Sequence, residues 1–245
     1  MTVSLRAFFK RSRLYAFNTV NRDAWVAEQA KQIPPGSVVI DVGAGSCPYR
    51  ALFAHCEYRS QDFASLHSDQ LRGGAYGRID YTSDAANIPV PDSSFDAVLC
   101  TEVLEHHEEP ARLVSELARI LKPGGRLLLS APLGSGIHQE PHHYYGGFTP
   151  YWYRTFLPRA GLGDITISAN AGSFKFFSQE AVRFLRLSRP FGQVLPPMPS
   201  VVWTPIWSLL LPLLGGIVPI ACDLLDRFDK ERRFTVGYHV TAVKR

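Results

Sequence analysis

The segment from Ser37 to Pro48 constrains the fold more than any other part of the chain. Ser37-Val-Val-Ile-Asp-Val42 is a β-branched run preceded by the turn Pro34-Pro-Gly36, and it passes directly into Asp41-Val-Gly-Ala-Gly-Ser-Cys-Pro48. A buried strand that ends in a glycine-rich turn reads as the first unit of a parallel βαβ sheet, where strands are covered on both faces. Two glycines let the backbone turn sharply and come close to a ligand, with the next helix presenting its N–H groups.

The following segments keep that alternation. Glu57–Asp62 and Gly77–Asp80 read as a second and a short third strand, and Phe95–Cys100 as a fourth after the turn Pro91-Asp-Ser-Ser94. Pro110 opens a helix at its first turn, where a missing N–H costs little, and Leu113, Val114, Leu117, Ile120 and Leu121 recur at helical spacing. Lys122-Pro-Gly-Gly125 should stop this helix and Arg126–Ser130 should be the next strand. A further helix is predicted from Thr149, its cap, to about Ala160, with Trp152 and Phe156 facing the core and the loop tyrosines more available. Gly163–Ser168 and Phe234–Val243 alternate like two closing strands, and no internal repeat is present.

With 245 residues, 46% hydrophobic and 20% charged, the composition is that of a globular domain and excludes a disordered tail or a disulfide-dense mini-protein. The net charge of +4 resides in residues 1–31, where Arg6, Lys10, Arg11, Arg13, Arg22 and Lys31 face only Asp23 and Glu28. The remainder sums to zero, which argues against nucleic acid as a partner. Cys47, Cys56, Cys100 and Cys222 form no metal-type pair, as expected in a reducing cytoplasm. The basic N-terminal stretch lacks an uninterrupted apolar core and reads as no secretion signal.

Pro190 to Cys222 carries no charge and is long enough to cross a bilayer. Pro205, Pro212 and Pro219 should break it into pieces of about two turns, and a crossing would strand the last strand away from its sheet. The expectation is a helical cap that packs on the domain, dips into one leaflet or pairs with a second subunit. Residues 1–17, with Leu5, Phe8, Phe9, Leu14 and Phe17 interleaved among the basic residues, suit either an anionic membrane surface or a helical lid over the site.

A dinucleotide fingerprint requires a third glycine three residues after Gly45, but Pro48 stands there, so a nucleotide-dependent oxidoreductase is disfavoured. Asp41, Gly43 and Gly45 instead resemble the first motif of class I S-adenosylmethionine-dependent methyltransferases, of the small-molecule type 11 kind. Three further blocks share the likeness in order: Asp62 at the second strand end, Ser83–His106, and Leu121-Lys-Pro-Gly-Gly-Arg-Leu127. The likeness runs from about Val38 to Gly161, with Cys47 standing where many members have glycine.

This resemblance implies S-adenosyl-L-methionine as cofactor. Asp41, Gly43, Ala44 and Gly45 would take its amino-acid end, Asp62 the ribose hydroxyls, Asp84 the adenine amine and Ala85 the ring. Main-chain groups of Cys100, Thr101 and Glu102 would receive the ammonium. It also implies an α/β fold with a seven-stranded sheet, the last strand antiparallel, and helices on both faces. On that plan residues 1–245 are one methyltransferase domain with a basic arm over 1–33 and an apolar insertion over 170–233.

Two histidine groups fall past strand ends, where open α/β sheets bind ligands: Glu105-His106-His107 and His138-Gln-Glu-Pro-His-His-Tyr-Tyr145. His142 and His106 are the candidate bases, and His138, His143, Tyr144 and Tyr145 the candidate acceptor pocket. Imidazoles with Glu140 are good ligands, yet histidines close together in a loop more often hydrogen-bond or face water, so no metal is expected. The expected activity is methyl transfer to an apolar or lipid-linked small molecule, in the cytoplasm or at the inner membrane face. The alternative is a catalytically silent scaffold for a membrane or partner.

Overall fold

The computed structural model describes residues 12–192 and 194–245. Seven strands form one sheet: β1 (Val38–Val42), β2 (Glu57–Asp62), β3 (Tyr81–Thr82), β4 (Phe95–Thr101), β5 (Leu121–Pro132), β6 (Leu162–Ala169) and β7 (Gly237–Lys244). Their spatial order is β3-β2-β1-β4-β5-β7-β6. β1 to β5 pair in parallel, and β7 runs antiparallel to both β5 and β6. This is the expected seven-stranded arrangement.

The sheet forms because its central strands are apolar on both faces. Side chains alternate between two cores: Ile40, Val98, Leu127 and Leu129 face one, and Val39, Ala97, Leu99 and Leu128 the other. The first core is closed by α2 (Pro110–Ile120) through Leu113, Val114 and Leu117. The second is closed by α1 (Phe17–Ala30) through Val26 and Ala30. The chain goes from β1 outward to β2 on one side and resumes at β4 on the other. The strand order thus reverses between β1 and β4, and the loops after β1, β2 and β4 share one crevice.

Three local expectations shift. The third strand is Tyr81–Thr82 rather than Gly77–Asp80, because Asp80 is held by Ser60, whose N–H and hydroxyl both donate to Asp80 Oδ2 at 3.0 Å. Lys122–Gly125 is an irregularity inside β5 rather than a separate turn. Phe95 pairs with Leu121 and Ala97 with Arg126, and Gly124 takes φ +75. In α3 (Pro150–Arg159), capped by the Thr149 hydroxyl, the buried face is Tyr153 and Leu157, while Trp152 and Phe156 are half-buried. Tyr153 sets the phase by packing edge-on against Tyr238 of β7, ring centroids 6.2 Å apart.

The chain divides into two compact units. The larger, Asn21–Asn170 with Gly237–Arg245, contains the sheet; the smaller comprises Ala171–Val236 and, among the described residues before Asn21, residues 12–20. The apolar insertion predicted over 170–233 therefore runs from Ala171 to Val236, and the arm predicted over 1–33 is divided at Asn21. Residues 1–11, with Arg6, Lys10 and Arg11, lie outside the described residues.

In the smaller unit, α4 (Ser173–Leu187) begins on two distant acids. Asp226 accepts from the N–H groups of Gly172 and Lys175, and Asp229 from that of Ser173. The carbonyls of Leu185 and Ser188 at its other end receive the indole N–H groups of Trp207 and Trp203, one turn apart on α5 (Pro197–Pro212). The prolines do not break the apolar segment into short pieces. α5 continues through Pro205, passes into a wide turn at Leu213–Ile217 and resumes as α6 (Val218–Leu225). The extra residue of a wide turn absorbs the bond that a proline cannot make. The hydroxyls of Thr204 and Ser208 add bonds to carbonyls four residues back.

Candidate active site

A cavity of about 740 Å³ lies in the crevice at the β1/β4 switch point, within the larger unit. Its floor is the turn after β1. Gly43 and Ala44 donate their N–H groups to the Gln61 carbonyl at 2.9 and 3.0 Å, and Gly45 donates to Asp62 Oδ2 at 2.9 Å. The glycine turn is therefore bound to the end of β2, and its amides are committed within the protein. Gly43 has φ +71, and a Cβ there would sit 2.3 Å from Val103 Cγ2, so a side chain at this position is strained and must displace Val103.

Six acidic residues line the cavity, and four of them, Asp41, Asp62, Asp84 and Glu102, surround the glycine turn and the end of β4. Asp62 is buried, and its second oxygen accepts from the Ala64 N–H at 2.8 Å. Asp84 accepts at one oxygen from the Ala86 N–H and from His107 Nε2, both at 2.9 Å. Partial burial works against its charge, but these donors outweigh it and hold the carboxyl below the ordinary range. Asp41 is buried under the turn and accepts from the Tyr58 hydroxyl at 2.7 Å. Burial pushes its carboxyl up to about 7, against the pull of Tyr58. Glu102, at φ +55, accepts from the Ser130 hydroxyl at 2.8 Å and pairs with Arg22 at 2.9 Å.

Arg22 also donates to the Tyr49 hydroxyl, which in turn donates to Asp23, and Asp23 binds both terminal nitrogens of Arg72. Burial disfavours the Arg22 charge; Glu102, Tyr49 and Asp23 more than offset it and keep the guanidinium protonated. Arg22, Tyr49 and Arg72 all line the cavity.

Among the residues singled out in the sequence, Asp41, Gly43, Ala44, Gly45, Asp62, Asp84, Ala85, Thr101, Glu102, His106, His142 and Tyr144 border this one cavity. Cys100 does not: its side chain lies wholly in the core and its main chain pairs within the sheet. His138, His143 and Tyr145 are not on the wall either. Tyr145 donates its hydroxyl to the Glu108 carbonyl, and the other two turn toward His106. The His142 ring stands edge-on to Phe63 at 5.1 Å, and its carbonyl receives His106 Nδ1 at 2.5 Å. Burial drops His106 to about 4, so it is neutral near pH 7.

Residues 40–129 match the family model described as a methyltransferase domain. That segment is similar to a methyltransferase domain, and the sheet built around it has the class I methyltransferase fold. An uncharacterized methyltransferase of Mycobacterium sp. strain JLS is 33% identical over 139 residues, covering 51% of this chain and 52% of that protein. A demethylmenaquinone methyltransferase of Deinococcus radiodurans is 32% identical over 103 residues, 41% of this chain and 39% of that one. The chain thus spans about half or less of the length of these curated relatives. Among solved structures, the cyclase SpnF shares the fold with a TM-score of 0.54 at 18% identity, over 93% of this chain and 80% of that one.

The donor set of this site fits the family's cofactor. S-adenosylmethionine presents ribose hydroxyls, an adenine amine, an ammonium and a sulfonium, which call for acceptors and negative charge, and a single carboxylate, which calls for a cation. The wall offers Asp41, Asp62, Asp84 and Glu102 for the former and Arg22 and Arg72 for the latter. Composition placed Arg22 among the arm's charges; only its position on the first long helix, before β1, hinted at a role over the site.

Proposed function

We propose that this chain is an S-adenosylmethionine-dependent methyltransferase acting on an apolar small molecule. The observation that carries the reading is the placement of Asp62 and Asp84 on one cavity wall, at and just past the ends of neighbouring strands, with Asp62 bound to the glycine turn at Gly45. Asp62 takes the ribose hydroxyls, and Asp84 with Ala85 takes the adenine. The Arg22–Glu102 pair matches an amino-acid zwitterion charge for charge, with Thr101 beside it. When bound, the cofactor supplies an electrophilic methyl group on a sulfonium. The protein contributes chiefly the alignment of the acceptor with it.

His142 lines the cavity and is the group available to take a proton from an acceptor that must lose one. His106 orients it through the bond to its carbonyl. An apolar acceptor is supported by the smaller unit, where Met198, Val202, Leu209 and Ile217 are all more than 60% exposed. One relative's name, which includes demethylmenaquinone, agrees with such an acceptor. The same exposed helices support contact with a membrane surface.

The test is calorimetric titration with the cofactor, followed by incubation with radiolabelled cofactor and separate apolar and aqueous fractions of cell extract. Binding with label entering the apolar fraction supports the reading. Binding without transfer to any fraction leaves a silent scaffold, and no binding removes the assignment.

A further inference from the structure

His106, His138 and His143 form a triangle of imidazoles with ring centroids 4.7, 4.7 and 5.7 Å apart. Three histidines on one zinc ion, with Zn–N of about 2.0–2.1 Å and tetrahedral angles, place their ring centroids about 5 Å apart. The spacing already present is close to that.

Each ring has one nitrogen engaged by the protein and the other left over. His106 Nδ1 is on the His142 carbonyl and His138 Nδ1 on the Gly136 carbonyl at 2.9 Å, so both rings donate there and keep a lone pair on Nε2. His143 Nε2 is on the Ser135 hydroxyl at 3.1 Å, and that hydroxyl donates to the Gly146 carbonyl. The His143 lone pair is thereby left on Nδ1. This is how ligating histidines are commonly held, with the second ring nitrogen fixed by a carbonyl or similar acceptor.

A fourth group completes the set. Glu105 is 1% exposed, its Oε2 has no hydrogen-bond partner, and its Oε1 lies 3.7 Å from His106 Nε2. A buried carboxylate oxygen without a partner is costly and calls for a cation or donor. The ligand atoms of Glu105, His106 and His138 lie within 4.8 Å of one another. His143 stands outside that group, joined to it by ring spacing alone, so a movement of the loop that carries both His138 and His143 would close all four on one ion. Glu140, the acid considered from sequence, is exposed and outside this group.

We propose that Glu105, His106, His138 and His143 bind a divalent transition metal ion of the zinc class. A carboxylate and three imidazoles fill a tetrahedral set, so the site is structural: it clips the loop after β5 to the turn after β4. That clip fixes His142, whose carbonyl is bound by His106. The inference stands independently of the acceptor and of methyl transfer itself.

Untagged, chelator-stripped full-length protein is titrated with cobalt(II), whose tetrahedral complexes absorb strongly in the visible. The expected result is saturation at about one equivalent per chain, displacement by zinc, and loss of the band in His138→Ala and His143→Ala. Both variants change loop residues outside the main cores, and unchanged circular dichroism verifies their folding. Limited proteolysis of the wild type should also show residues 133–147 cut more slowly with zinc. Absence of a band in the wild type, or an equal band in the double variant, overturns the site.

Discussion

Arg22 on α1 and Glu102 at the end of β4 meet at 2.9 Å, with side-chain exposures of only 14% and 29%. Arg22→Ala leaves a shielded carboxylate beside Glu105 without its counter-charge. The expected cost is about 1–3 kcal/mol of stability, together with weaker cofactor binding. Arg22→Lys should recover part of the stability but lose the fork that also reaches Tyr49. Urea unfolding and calorimetry on the three proteins measure both effects.

Gly43→Ala places a methyl group against Val103 at a backbone angle that disfavours side chains. A loss of at least about 1 kcal/mol is expected. A companion Val103→Ala should restore part of it by opening the space, which thermal melts of the single and double variants would reveal.

Asp62 serves both the glycine turn, through Gly45, and the expected ribose site. Asp62→Ala should weaken cofactor binding by about 1.5–3 kcal/mol, the range for hydrogen bonds to a charged group. Unchanged affinity in calorimetry would remove Asp62 from the site.

Asp41 and His239 give opposite pH slopes. Burial raises Asp41 to about 7, so between about 4 and 7 the native state keeps a proton that the unfolded chain has released. Stability contributed by this group falls as pH rises through that window. Asp41→Asn should abolish the slope and gain about 2–4 kcal/mol relative to wild type above pH 7. His239 is lowered to about 4 by burial and stacks on Trp25 at 4.8 Å. The unfolded chain takes up its proton below about 6.5, so stability is lost as pH falls from about 6.5 to about 4. His239→Phe keeps a ring on Trp25 and should remove a slope of up to about 3 kcal/mol. Denaturant midpoints across pH separate the two.

The helical run Pro197–Phe228 is long and apolar enough to cross a membrane, and 11% of its most apolar window is buried. The protein should float with liposomes in a density gradient. Recovery at the bottom of the gradient, with or without anionic lipid, would contradict membrane contact. Release by alkaline carbonate would favour a surface-bound helix over a span.

The sheet and the glycine turn were legible because both depend on local pattern. β-branched runs declare strands, and an acid, two glycines and a strand end declare the crevice. Asp62 and Asp84 were legible only as parts of an ordered series. What escaped depends on long-range register. Tyr58 reaches Asp41 from the neighbouring strand, and Arg22 reaches Glu102 from a helix whose role composition hides. The phase of α3 was read one residue off, because Trp152 and Tyr153 are both aromatic and only the contact with Tyr238 decides between them. His138 and His143 looked like pocket residues, yet the loop's path turns them to His106. Pro205 looked like a break, although the helix runs through it, with Thr204 and Ser208 hydroxyls bonded to carbonyls four residues back and the Trp203 and Trp207 indoles tied to α4.

The bond from the Asn170 N–H to the Gly237 carbonyl, 2.9 Å, joins the points where the chain departs from the sheet and returns to it. Residues 171–236 thus leave and rejoin the sheet at the closed end of the antiparallel β6–β7 pair. A change in the length of that excursion would leave the register of both strands, and with it the edge of the sheet, as it is.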